Sequence, residues 1–219
     1  MTYGARLTLM CASAAVGSLM IMTSSWAESL HIGSFSSTGL DGWEEHEFKN
    51  RTQYQLQQSD GQQIIKAQSS NAASGLFKSI TVDLNRTPYL NWRWRVDKVL
   101  NGVDEQSKEG DDYPARIYVV KEGFFPWSTK AVNYVWSSNQ PTGTRWHNVY
   151  TGNARMIALQ SGDRQSGQWI TEKRNVKEDF KALFGDEFDK ITTVALMTDT
   201  DNSGQQATAY YGDIYFSAD

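Results

Sequence analysis

Short runs in which apolar and polar residues alternate dominate the chain. The clearest is LNWRWRV, residues 90–96. There Leu90, Trp92, Trp94 and Val96 share one face and Asn91, Arg93 and Arg95 the other, because successive strand side chains point to opposite sides. ARIYVV (115–120), AVNYVW (131–136), RMIALQ (155–160), QWITEKR (168–174), ITTVALM (191–197) and ATAYYGDIYF (207–216) are similarly rich in β-branched and aromatic residues. Each predicts a strand. QYQLQ (53–57) and QQIIKAQ (62–68) flank Ser59-Asp60-Gly61, a hairpin turn signal, and SGLFKSITVDL (74–84) leads towards the Trp-rich strand. One segment has the other period. In NVKEDFKALFG, Val176, Phe180, Leu183 and Phe184 form a helical stripe, Asn175 and Glu178 make a capping-box variant, and Gly185 supplies a stop. The pattern predicts an all-β, jelly-roll-like antiparallel β-sandwich with one short helix, about residues 175–184, in a connection.

The N-terminus departs from this pattern. Residues 1–27 hold one charge, Arg6, then an apolar run from Leu7 to Met22, and end in Ser25-Trp26-Ala27. That layout predicts a secretory signal peptide cut after Ala27, leaving residues 28–219 as a single β-sandwich domain in the periplasm or outside the cell. The apolar run is shorter than the roughly 20 residues of a membrane span. Cys11 lies inside it, after the bulky Met10, which argues against a lipoprotein. It is the only cysteine, so its removal excludes disulfides, thiol catalysis and cysteine-held zinc from the mature chain. The formal net charge is −4 and no block of five like charges occurs. Nucleic acid is therefore not an expected partner, and neither is an anionic membrane surface.

Several segments together resemble a known family. They are GW (42–43), ASGL (73–76), WRWRV (92–96), GDDYPARIYVV (110–120), YVWSSNQPTGT (134–144), EKRNVKEDF (172–180) and ALMTDTDNSG (195–204), with YYGDIYF (210–216) at the end. The chain is similar over about residues 35–216 to the bacterial domain-of-unknown-function family 3047. The resemblance implies exported or envelope-associated proteins with a sandwich related in shape to carbohydrate-binding modules. It brings no established activity and no catalytic residues.

Candidate chemistry is sparse. Asp199-x-Asp201-x-Ser203-Gly204 matches the first half of a calcium loop. A helix-flanked EF-hand is excluded, because position 12 is Tyr210 and no helix flanks the run. Two readings stay open: a Ca2+ site of another geometry, with Asp213 as a further ligand, or a polar turn between strands. In KEGDDYPAR, Asp111 and Asp112 precede Arg116. The trio suits a cation, sugar hydroxyls or a catalytic carboxylate, and equally a solvated loop with a structural ion pair. Glu172 and Arg174 adjoin the cap Asn175; with Asp112 or Asp213, Glu172 would make the carboxylate pair of a glycoside hydrolase.

Among the tryptophans, Trp92 and Trp94 read as core. Trp127 and Trp146 stand in loop-like contexts, where an exposed ring offers a face to sugar C–H groups. Only His31, His46 and His147 are available as histidines, and no Gly-x-Ser-x-Gly, His-Glu-x-x-His or phosphate-cradling Gly-rich loop occurs. The first functional expectation is non-catalytic binding of a glycan or cell-envelope polysaccharide, with no cofactor or with Ca2+. The alternatives are an envelope enzyme acting on glycans through acidic residues, and a structural or partner-binding envelope protein. The ligand-binding expectation names Asp111, Asp112, Arg116, Trp127, Trp146, Glu172 and Arg174; the metal expectation names Asp199, Asp201, Ser203 and Asp213.

Overall fold

A computed structural model describes Met1 and residues 28–219; the expected signal peptide, residues 1–27, lies outside the described residues apart from Met1. Two seven-stranded sheets pack face to face. Sheet I contains β1 (Ser29–Gly33), β3 (Gln53–Ser59), β4 (Gln62–Ser70), β6 (Tyr89–Val96), β11 (Ile170–Asn175), β13 (Gln206–Tyr211) and β14 (Ile214–Ser217). Its order is β1-β14-β6-β13-β4-β3, with β11 also pairing to β6. Sheet II contains β2 (Glu44–Lys49), β5 (Ala73–Asp83), β7 (Ala115–Lys121), β8 (Lys130–Ser137), β9 (Arg145–His147), β10 (Ala154–Ser161) and β12 (Lys190–Asp199), in the order β2-β5-β12-β7-β8-β10-β9.

The alternation in β6 does what its sequence predicts. Leu90, Trp92, Trp94 and Val96 are buried between the sheets, while Arg93 and Arg95 face outwards. Trp92 packs on Tyr134 of β8 at 5.4 Å between ring centroids, and Trp94 on Trp136 at 6.0 Å. One core cluster draws on both sheets and on the helix α1 (Val176–Phe184) through Val176 and Phe180. Asn175 caps α1 by accepting from the Glu178 N–H at 3.1 Å, and Gly185 closes it. The turn signal at 59–61 also forms: Asp60 (φ 52°) and Gly61 (φ 77°) take the left-handed pair of a two-residue hairpin.

The structure corrects three details. ATAYYGDIYF is two strands, because the chain breaks at Gly212–Asp213 between β13 and β14. Gly212 sits where Arg93 crosses, and a Cβ there would lie 2.6 Å from the Arg93 side chain. The sheets are not wholly antiparallel: β8 and β10 run parallel, with β9 between them in sequence. β1, β2 and β9 are strands that the pattern does not single out, since SLHIG, EEHEFK and RWH are short or polar.

Candidate functional site

The site lies on the outer face of sheet II. In β7, Ala115, Ile117 and Val119 belong to the core, so Arg116 and Tyr118 project from the opposite side. In β12, Val194 and Leu196 turn inwards, so Met197 and Asp199 turn outwards. The ladder sets Met197 beside Arg116, and Tyr118 beside Asn133 of β8. These side chains floor a cavity of ≈ 460 Å³. Phe48, 65 % exposed, stands on one rim and Tyr150, 57 % exposed, on the other.

One end of this cavity is a buried charge network. Arg116 Nη2 donates to Asp199 Oδ2 at 2.6 Å, and both residues are buried. The guanidinium lies between the Tyr113 and Tyr118 rings, 5.1 Å from each centroid. Asp111 accepts from the Tyr113 hydroxyl at 3.1 Å and from Asn148 Nδ2 at 3.2 Å. Asp112 accepts from the backbone N–H of Asn202 (3.1 Å) and of Ser203 (2.6 Å). The Asp-Asn-Ser-Gly segment is thus a turn, as its composition allows, held by a carboxylate ninety residues earlier in the chain.

The turn also carries an acidic cluster. One oxygen each of Asp112, Asp199 and Asp201 lies within 4.8 Å of the others, an arrangement able to hold a metal ion. Burial pushes the Asp199 carboxyl well up; Arg116 opposes this, and Asp112, Asp111 and Asp201 add to it. Burial likewise raises Asp111, against the pull of Arg116. Asp201 is raised by burial and then by Asp112, with Lys49 opposing. Burial alone would lower the Arg116 guanidinium, but Asp199 holds it charged. Three buried atoms on cavity-lining residues have no hydrogen-bond partner in the structure: Asp199 Oδ1, Arg116 Nε and Asn133 Oδ1.

Asp111, Asp112, Arg116, Asp199, Asp201 and Ser203 therefore converge, although Ser203 does so through its backbone N–H. The other expected residues lie elsewhere. Asp213 sits at the β13–β14 break in sheet I, where it accepts from the Ser36 N–H (2.9 Å) and from the Ser36 hydroxyl. Glu172 accepts from Gln160 Nε2 (2.7 Å) and Trp94 Nε1 (3.3 Å), and burial raises its carboxyl. Arg174 forms a two-pronged pair with Asp179 that ties β11 to α1. Trp146 is not an open ring: it is buried in β9 within a cluster that includes Tyr113 and Met156. Trp127 is exposed, at the tip of the β7–β8 connection.

Sequence reasoning passed over Tyr118, Asn133, Asn148, Tyr150 and Phe48. Two of these carried a signal, because Tyr118 alternates with core residues on the Arg116 face and Asn133 interrupts an apolar strand. Asn148 and Tyr150 come from a loop and had none.

The model of the family described as "Protein of unknown function (DUF3047)" matches residues 41–215, and the chain belongs to that family. No curated protein matches it. Among solved structures it is similar to the family 30 carbohydrate-binding module of a cellulosomal cellulase of Clostridium thermocellum, at 9 % identity and TM-score 0.46, covering 81 % of this chain and 92 % of that one. The xyloglucanase domain of a type three effector from Sinorhizobium fredii, in complex with cellobiose, gives 9 % identity and TM-score 0.46 over 87 % and 97 %. The metal-free lectin I-B4 of Griffonia simplicifolia gives 14 % and 0.43 over 87 % and 98 %. Likenesses this loose leave the site to be read from its own residues.

Proposed function

We propose that this DUF3047 member is an exported, non-catalytic binding protein for a polyhydroxylated ligand, a glycan, held in the sheet II cavity with Ca2+ at its acidic end. The observation that carries the reading is the trio of buried, unpartnered atoms: Asp199 Oδ1, Arg116 Nε and Asn133 Oδ1. Each such atom costs about 1–3 kcal/mol when left unpaired. Three on residues lining one cavity suit a ligand whose hydroxyls both donate and accept. Phe48 and Tyr150 supply ring faces at the rims for sugar C–H groups.

The cation follows from charge. Asp112, Asp199 and Asp201 crowd together, with Asp111 nearby, against buried Arg116 and the more distant Lys49, whose Nζ is 3.9 Å from Asp201 Oδ2. Buried charges need partners, and carboxylate and backbone oxygens are ligands that Ca2+ prefers.

Titration calorimetry of the mature chain against soluble glycans, in chelator and in Ca2+, tests both parts. Asn133→Leu should abolish binding of the glycan that gives heat while the unfolding midpoint is kept. If no glycan gives heat and Ca2+ leaves the midpoint unmoved, the reading is wrong. A second reading, glycan hydrolysis, has one observation in its favour: Asp111 and Asp199 both have raised carboxyls in the same cavity, as a general acid requires. Release of new reducing ends, lost in Asp199→Asn, would favour it.

A further inference from the structure

The cavity does not end at Tyr118. A second hollow of ≈ 580 Å³ continues along the same face of sheet II, and Phe48 lines both. The register explains the continuity. Phe77, Ala195 and Tyr118 lie abreast, and Thr193 and Val120 form the next row. Phe77, Val120 and Thr193 line the second hollow, and Phe124 lies at its far side. The result is a trough parallel to the strands. Along β7 alone, from Arg116 to Val120, it runs roughly 13 Å at the usual strand rise, longer than one sugar ring.

Beyond it stands an aromatic platform on the β7–β8 connection. Phe124 is 93 % exposed and Trp127 70 %. Phe125 and Trp127 stack at 4.6 Å with 5° between their planes, and Phe124 meets Phe125 edge-on at 4.8 Å. The loop is held in this shape by its own hydrogen bonds. Ser128 Oγ accepts from the Phe125 N–H (3.2 Å) and donates to the Phe125 carbonyl (2.8 Å). The Gly123 N–H donates to Thr129 Oγ1 (3.2 Å). Asn153 Nδ2 donates to the Trp127 carbonyl (2.7 Å), and its neighbours Thr151 and Ala154 line the first cavity. Platform and cavity are thereby tied together. A hydrogen-bonded tip that turns three large rings outwards offers apolar area for a partner to cover.

We infer that the ligand is a linear oligosaccharide chain lying along β7, with one end at the acidic network and a further ring stacked on Trp127. This rests on the glycan reading above and adds chain length to it. The stacked pair offers the flat face that a pyranose ring covers. Phe48, shared by both hollows, would be passed by the chain between the two ends.

The test is titration with linear β-linked glucose, xylose and N-acetylglucosamine oligomers, from dimer to hexamer, in Ca2+. For the series that binds, affinity should rise about tenfold or more from dimer to hexamer, as one or two added stacking contacts supply. The double variant Phe124→Ser/Trp127→Ala should lose that gain and keep the affinity for the dimer. A gain that survives in the variant, or equal affinity for dimer and hexamer, overturns the inference and leaves the cavity reading intact. Binding of no oligomer at any length overturns both. Binding to anionic lipid vesicles that the variant loses, without a chain-length gain, would assign the platform to a bilayer and overturn the inference.

Discussion

The outer faces of the two sheets both carry buried or half-buried charge, and they handle it in opposite ways. On sheet I, Arg93 and Arg95 lie over Trp169 at 4.7 and 5.6 Å, and Arg95 over Tyr210 at 3.9 Å. Neither arginine forms an ion pair among the described residues; ring faces cover the guanidiniums, and Arg93 Nη2 donates to Gln62 at 2.6 Å. The hollow beside them is small, ≈ 210 Å³. On sheet II, one buried arginine faces several carboxyls that raise one another, beside a cavity twice as large. An aromatic ring offsets part of the cost of a cation without adding opposite charge. A crowd of acids can be relieved only by protons, a cation or donors from outside. The sheet I face covers its cations with rings and leaves the nitrogens Arg95 Nε and Trp169 Nε1 without a hydrogen-bond partner; the sheet II face gathers carboxyls against a single buried arginine.

The sharpest way to break this contrast is to remove each arginine. Arg116→Met leaves Asp199 buried beside Asp111 and Asp112 with no cation, and should cost about 3–5 kcal/mol in denaturant unfolding. Arg95→Met should cost only about 1 kcal/mol, the size of a partly exposed cation–π contact. Equal losses would show that the two faces do not differ as argued.

A second test is pH. Asp199, Asp111 and Asp201 have folded pKa values above their unfolded ones, so the native state binds their protons more tightly. The stability they contribute is fully present below the unfolded carboxylate range, near pH 4, and is lost as pH rises through the raised values. In chelator, the thermal midpoint should therefore rise on acidification from pH 7 towards pH 5; Ca2+ should flatten that slope. A midpoint that only falls on acidification would contradict the network.

Smaller still, Asp201→Asn removes one carboxylate from the cluster. It should raise stability at pH 7 in chelator by at most about 1 kcal/mol, since this carboxyl keeps part of its solvent. It should also weaken any midpoint shift caused by Ca2+. The smallest change belongs to Arg93→Gln, within about 0.5–1 kcal/mol, with no effect of Ca2+ on the difference.

Much of the architecture was legible in the sequence because periodicity is a local property. The two-residue alternation in LNWRWRV is enough to bury Trp92 and Trp94 and turn Arg93 and Arg95 outwards, and Asn175 with Glu178 is enough to start α1. Short polar strands were not legible: EEHEFK becomes β2 only because its backbone completes the edge of β5. The break at Gly212 was not legible either, since it answers to a side chain on a neighbouring strand.

The site divides in the same way. Residues close in sequence, such as Asp111, Asp112 and Arg116, or Asp199, Asp201 and Ser203, could be named as two separate polar clusters. That the two clusters are one was decided by the pairing of β7 with β12, which sets Arg116 beside Met197 and brings Asp112 onto the turn at 202–203. The same pairing left Asp213, Glu172 and Arg174 on sheet I, each with a structural partner. The sequence by itself determined which residues are polar, which face each occupies in the clearly alternating strands, and the hairpin at 59–61, because those follow from composition and a period of two. Only the tertiary structure decided which polar residues meet, because strand order and register join positions far apart in the chain, and burial then sets the electrostatics of what they form.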